Sequence, residues 1–289
     1  MKLIHSILLG AACLCTAACS NSVDFGEQYK KVVYIVNSND KVVSSSHMID
    51  EETRGNIAVY CAGSEFPDHD VVVHYKIDPE AIQAFNESEY GEATSRYLTC
   101  IPEEAVTFDS DEIVIKQGQP TGLLYFTINT TMLDPSLNNT LPLTITDASG
   151  YEINPDLQTI FYVLRLETEY SGTYASTVQY MSGGEPSATY QVTKNVQAAG
   201  LTKLKVPAGT NISVQEGENA NYFTLEWNET TNKVTMTSDA FVGANPWPSD
   251  TAWLGGKDTP VNYYDPENKC FVLYYGFGGH WNYEVLTKK

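Results

Sequence analysis

The sequence predicts an all-β protein of two domains, an antiparallel β-sandwich with one short helix followed by an antiparallel β-barrel or sandwich. Three observations predict it. Tyr, Thr and Val are frequent, with 19 Tyr in 289 residues, and long stretches of 3.6-residue periodicity are scarce. Short runs of alternating apolar and polar residues are separated by Gly, Pro, Asn and Asp, the punctuation of antiparallel sheets. The strand pattern closes near Glu167 and restarts after Ser171. The apolar fraction of 42% is enough to fill two ordinary cores.

The elements follow in order. Val32 to Val36 reads as the first strand, and Ile57 to Cys61 as the next. In Val71 to Ile77, Val71, Val73, Tyr75 and Ile77 share one face and Val72, His74 and Lys76 the other. Asp78 can cap a helix that Pro79 begins, Ala81, Ile82 and Phe85 give it an apolar stripe, and Asn86 and Gly91 end it. Strands resume at Ala105–Phe108, Glu112–Lys116, Leu123–Ile128, Pro142–Thr146 and Thr159–Leu166. Beyond the boundary, strands are expected at Thr173–Met181, Thr189–Val196, Thr202–Val206, Asn211–Gln215, Tyr222–Trp227 and Lys233–Thr237. Val261–Tyr264 and Cys270–Tyr275 form a hairpin across Asp265–Asn268, and Asn282–Leu286 is the last strand.

Residues 1–18 stand apart from the fold. Lys2 is a short basic region, Leu3 to Leu14 an apolar stretch too short to span a bilayer, and Thr16-Ala17-Ala18 a small-residue run ending at Cys19. This resembles a bacterial lipoprotein signal, with Thr16 where Leu is usual, and implies cleavage before Cys19 and its lipidation. The alternative is an ordinary secretory signal cleaved after Ala18. The expected organisation is therefore a leader (1–18), a lipidated cysteine and tether (19–31), an N-terminal sandwich (32–167) and a C-terminal β-rich domain (168–289).

The net charge is −19, and the leader removes one basic residue and no acidic one. Such a field repels phosphate backbones and anionic headgroups, so no nucleic-acid partner is expected and membrane contact runs through the lipid anchor alone. Outside the leader and Cys19, only Cys61, Cys100 and Cys270 remain. In an exported chain Cys61 with Cys100 is the possible disulfide, whereas the alternation Ile57, Val59, Cys61 favours a small buried hydrophobe.

Catalytic signatures are absent from the sequence outside the leader: no Gly-x-Ser-x-Gly, no His-Glu-x-x-His, no phosphate-binding glycine loop. No cofactor or metal is expected. In Asp68-His69-Asp70 with His74, the five-residue spacing on a strand sends the two imidazoles to opposite faces. Asp109 to Glu112 lacks the spacing of a calcium loop and reads as a turn. Paired carboxylates for glycoside hydrolysis are available in number, but the domains are too short for a (β/α)₈ barrel. The positive signal is aromatic. Asn245, Trp247, Asp250 and Trp253 occupy a Pro/Gly-rich segment read as irregular, and Trp281 a glycine-flanked loop at Gly276–Trp281. Sugar rings pack C–H faces on flat aromatics while their hydroxyls seek Asp, Asn and backbone groups, so these five residues are the candidate glycan contacts. The competing reading is that the tryptophans plug a core, as Trp227 does, alternating with Leu225 and Phe223. Asp250-Thr251-Ala252 also resembles a short bacterial O-glycosylation site.

Phe25 to Ser38 just after the lipobox, Ile113 to Gly118, and Leu141 to Gly150 resemble the N-terminal domain of two-domain Bacteroidota outer-membrane lipoproteins of unknown function, an immunoglobulin-like sandwich. The Tyr-rich hairpin Tyr263 to Tyr275 resembles the end of their C-terminal domain. The resemblance implies an outer-membrane location and an association with Sus-type glycan-uptake proteins, hence a non-catalytic role in binding a polysaccharide or oligosaccharide. Two other classes stay open: a structural or adhesion lipoprotein with a protein partner, and a glycoside hydrolase or its accessory.

Overall fold

The computed structural model of the chain describes residues 28–215, 220–237, 251–254 and 257–289. Cys19 therefore lies outside the described residues, as do Asn245, Trp247 and Asp250.

The N-terminal half runs β1 (Val32–Ile35), β2 (Val42–Met48), β3 (Thr53–Ala62), β4 (Val71–Ile77), α1 (Pro79–Tyr90), β5 (Leu98–Cys100), β6 (Val106–Phe108), β7 (Glu112–Ile115), β8 (Thr121–Ile128), β9 (Asn138–Asp147), β10 (Glu152–Ile153) and β11 (Thr159–Glu167). Two sheets form, one in the order β10-β1-β3-β8-β6 and the other β2-β11-β9-β4-β7 with β5 beside β9. Val33, Val59, Leu124 and Phe126 from the first meet Val73, Ile115, Leu143 and Tyr162 from the second in one buried cluster. Period-two alternation puts these side chains on the inner faces. Most pairings are antiparallel as expected, but β1–β10, β2–β11 and β5–β9 are parallel.

Helix α1 begins where expected, with the Asp78 carboxylate accepting from the Ala81 amide at 3.4 Å. It runs to Tyr90 with Gly91 as its C-cap, as expected, so that of the two expected terminators Asn86 lies within the helix and Gly91 ends it. Asn86 is buried, donating to the Leu98 carbonyl at 2.9 Å and accepting from the Leu98 amide at 2.8 Å. Its amide thus serves as a strand partner for β5. Ile82 and Phe85 cover the outer face of the second sheet at Phe161, with the Phe85 and Phe161 rings 4.8 Å apart.

The suggested disulfide does not form: Cys61 lies on β3 and Cys100 on β5, strands of different sheets, and the two are not bonded to each other. Cys61 is 3% exposed within the sandwich core, the buried-hydrophobe alternative.

The C-terminal half runs β12 (Gly172–Ser182), β13 (Glu185–Gly200), β14 (Lys203–Pro207), β15 (Tyr222–Trp227), β16 (Val234–Thr237), β17 (Thr251–Leu254), β18 (Lys257–Pro260), β19 (Tyr263–Asp265), β20 (Cys270–Phe277) and β21 (His280–Lys288). Eight strands follow in the order β16-β15-β14-β13-β12-β21-β20-β19. The two ends approach each other, since Lys233 bridges Tyr263, the Val234 amide donates to the Asn262 carbonyl and the Tyr264 amide to that of Asn232, both at 2.8 Å. The sheet is thus a nearly closed barrel. Tyr174, Leu204, Phe223, Leu225, Phe271 and Leu286 fill it, and Trp227 belongs to this core at 3% exposure. Residues 211–215 are not a strand. Hairpin β17–β18 lays Ala252 and Leu254 against an outer cluster of Met181, Val261, Val272 and Tyr274. Trp253 therefore sits in paired sheet, opposite Asp258, rather than in irregular chain.

Among the described residues no sheet spans the two halves. The joint is a turn in which the Ser171 amide donates to the Thr168 carbonyl at 3.1 Å, and Tyr170 places its ring 4.6 Å from that of Trp227.

Candidate functional site

The segment Gly276–Trp281, read as a loop from its glycines, is the end of a tight hairpin. Gly278 and Gly279 have φ of 64° and 77°, the left-handed pair that a two-residue turn of type I′ requires, and Phe277 pairs with His280 across it. Trp281 is consequently a strand residue, opposite Gly276 on β20 and Met181 on β12.

Alternation along β21 distributes the side chains. Trp281, Tyr283 and Val285 face the outside of the barrel, and His280, Asn282, Glu284 and Leu286 the inside. On the outside the indole of Trp281 lies parallel to Tyr274, 3° between planes and 5.4 Å between centroids. A Cβ at Gly276 would sit 3.6 Å from the indole, so the ring rests against the glycine. Tyr274 beneath is buried, while Trp281 is 37% exposed. At the same end, on the inner side, Tyr180 of β12 stacks on His280 with centroids 4.4 Å apart and 9° between planes. Tyr190 of β13 packs on Tyr180 at 4.9 Å and is 43% exposed. Two Gly-Gly hairpins, Gly183–Gly184 and Gly278–Gly279, therefore frame one barrel end that carries planar rings on both faces of the sheet.

A sealed polar cluster lies deeper. Lys194 and Glu284 are both wholly buried and 2.5 Å apart. Ser176 donates to the same Glu284 oxygen at 2.6 Å, Tyr275 to the other, and Lys194 also donates to the Pro207 carbonyl at 2.7 Å. Burial holds the Lys194 ammonium below and the Tyr275 phenol well above their ordinary ranges. Removing one partner of such a pair strands the other charge, at a cost of about 3–5 kcal/mol. With no exposed atom to meet a substrate, this cluster is part of the barrel interior.

Among the described residues no group of three or more His, Cys, Asp or Glu could hold a metal. Asp68 pairs with His69 at 2.7 Å, Asp70 with Lys116 at 2.8 Å, and Asp109 with Arg54 at 2.6 Å. Of the sequence-predicted contacts, the structure describes the side chain of Trp281 alone, and places it at the barrel end. Tyr180, Tyr190 and Tyr274 are not among the sequence-predicted contacts. The signal for them is a set of tyrosines close to two Gly-Gly turns.

A family model whose description reads "-like, N-terminal domain" matches residues 29–152. Solved structures from Bacteroides ovatus share the architecture. One of unknown function has a TM-score of 0.53 and 15% identity, covering 89% of this chain and 93% of that one. A multidomain protein including DUF1735 has a TM-score of 0.52 and 16% identity, covering 86% of this chain and 89% of that one. A third, also of unknown function, has a TM-score of 0.53 at 14% identity, covering 89% of each. No curated protein matches the chain. The chain thus shares the all-β fold of multidomain Bacteroides proteins of unknown function.

Proposed function

We propose that this protein is a lipid-anchored, non-catalytic glycan-binding component of the outer membrane. The observation that carries the reading is the barrel end, where Trp281, stacked on Tyr274, and Tyr190, packed at a tilt of 52° on Tyr180, are 37% and 43% exposed and each backed by a second ring. A planar ring already immobilised loses little entropy when a sugar face packs on it. The proposal keeps Asn245, Trp247, Asp250 and Trp253 as further contacts. It makes Cys19 the anchor, and Sus-type uptake proteins the partners to test.

Affinity electrophoresis of the chain from Ser20 in gels cast with plant and host polysaccharides tests it. At least one polysaccharide should retard the protein, and Trp281→Ala and Tyr190→Ala should reduce the retardation with little change in melting temperature. Tyr125→Ala, an exposed tyrosine of the other half, should not. Failure of every polysaccharide to retard the chain, or equal retardation of all variants, overturns the reading. In cells Cys19→Ala should move the protein from the membrane pellet to the soluble fraction, and unchanged partitioning refutes the anchor.

A second reading, protein contact, is favoured by β8, whose solvent face presents Leu123 at 47% and Tyr125 at 43% exposure.

A further inference from the structure

A cleft of about 690 Å³ lies between the second sheet of the sandwich and strand β13 of the barrel. Its floor comes from the register of β11 on β2. At Phe161 opposite Val42 the sheet is covered by helix α1, but farther along, Arg165 opposite Ser46 runs out from under the helix into the cleft. Arg96, from the turn after the helix, lines the cleft with its guanidinium 4.8 Å from the centroid of the Tyr90 ring. Asn195 and Gln197 of β13 close the opposite wall.

The chain has three arginines. Arg54 is ion-paired with Asp109 at 2.6 Å; the other two line this cleft, and among the described residues neither makes an ion pair. Glu167, the one carboxylate in the lining, accepts from the Ser46 hydroxyl at 2.6 Å. In a protein of net charge −19, two guanidinium groups in one hollow form a local exception to the field around them. Guanidinium forks match a carboxylate in a bidentate way, and a fork held over a tyrosine ring keeps part of its freedom restricted before the ligand arrives. The remaining lining mixes hydroxyls and amides, suited to hydroxyl groups, with apolar surface that includes Leu137, Val163 and Tyr90. Clefts between domains are a preferred place for such sites.

We propose that this cleft binds an acidic saccharide, with Arg96 and Arg165 holding a sugar carboxylate and the hydroxyl and amide groups of both walls holding its neighbours. The site is separate from the barrel end, and its ligand class stands or falls independently of the aromatic surface.

Titration calorimetry of the chain from Ser20 with oligogalacturonate, oligoglucuronate and sialyllactose tests the assignment, with the carboxyl-reduced oligogalacturonate as the neutral control. At least one acidic oligosaccharide should bind, more weakly as salt is raised, and the reduced one should not. Arg96→Gln and Arg165→Gln should each weaken binding about tenfold, as expected for loss of a charge-assisted bond. Arg54→Gln should leave it unchanged. Gln197→Trp, which fills the cleft without altering charge, should abolish it, so the site is tested even if an arginine variant unfolds. Binding that survives carboxyl reduction, binding insensitive to the arginine and Gln197 variants, or no binding of any of the three acids overturns the proposal. Loss of binding in Trp281→Ala with none in the arginine variants would overturn it while supporting the barrel-end surface.

Discussion

Trp227 and Trp281 belong to the same barrel but answer to different constraints. Trp227 is 3% exposed and wedged against Phe271 and Tyr170, whereas Trp281 lies across the sheet surface at 37% exposure. Deleting a buried tryptophan side chain costs its transfer energy plus the cavity it leaves. Trp227→Ala should therefore lose about 3–5 kcal/mol in chemical denaturation. Trp281→Ala should lose far less, because solvent and neighbours already share its surface. Equal losses would mean that Trp281 holds the fold and would remove it from the glycan surface. His47 supplies a pH dependence. It is 3% exposed, with Nδ1 at 2.7 Å from the Thr53 hydroxyl and Nε2 at 2.9 Å from the Tyr162 hydroxyl, and burial pulls its pKa below the ordinary 6.5. The unfolded chain then takes up a proton that the folded chain refuses. This contribution to stability is fully present above 6.5 and is lost as pH falls through the folded value. Its slope is at most about 1.4 kcal/mol per pH unit. Denaturant midpoints measured across that range should decline in the wild type and decline less in His47→Gln; parallel profiles would assign the acid sensitivity to other groups.

At the scale of elements, close approach decides where the sequence is constrained. Gly122 on β8 lies where the two sheets meet at β7, and a Cβ there would fall 2.9 Å from the Val114 carbonyl oxygen and 3.0 Å from the Ile113 side chain. A backbone oxygen cannot rotate away. Gly122→Ala should therefore cost about 1–3 kcal/mol, read from a thermal or denaturant melt, and an unchanged melt would show that β7 can shift. Such contacts were invisible in the sequence, where Gly122 reads as turn punctuation ahead of Leu123. Strands with strong alternation were legible: Val71–Ile77 and Tyr222–Trp227 have the same limits in sequence and structure. β2 was not, because Val-Val-Ser-Ser-Ser-His-Met has little β propensity and is a strand only through its backbone pairing with β11. The candidate site was half legible for a related reason. Glycines announced the hairpin at Gly278–Gly279, but only strand register reveals that Trp281 points outward over Tyr274 while His280 points inward onto Tyr180. The cleft depends on a contact between halves of the chain that no local pattern encodes.

For the whole molecule, the two halves are covalently continuous but have separate cores. The sandwich buries its residues between β1 and β11, the barrel between β12 and β21, and among the described residues no sheet or buried cluster spans Thr168 to Ser171. Tyr170 belongs to the barrel by its contacts with Trp227 and Tyr264, at 4.6 and 5.6 Å, which puts the division ahead of it. We therefore expect residues 20–168 and 169–289, expressed separately, each to melt cooperatively as a β protein, because each retains its full set of strand partners and its apolar cluster. The full chain should then show two calorimetric transitions close to those of the pieces, since the walls of the cleft between them are largely polar and add little apolar burial. If neither piece folds, or if the full chain melts in one transition well above both, then the contact across the cleft contributes cooperative stability. The halves would then be one folding unit, with the cleft as its seam.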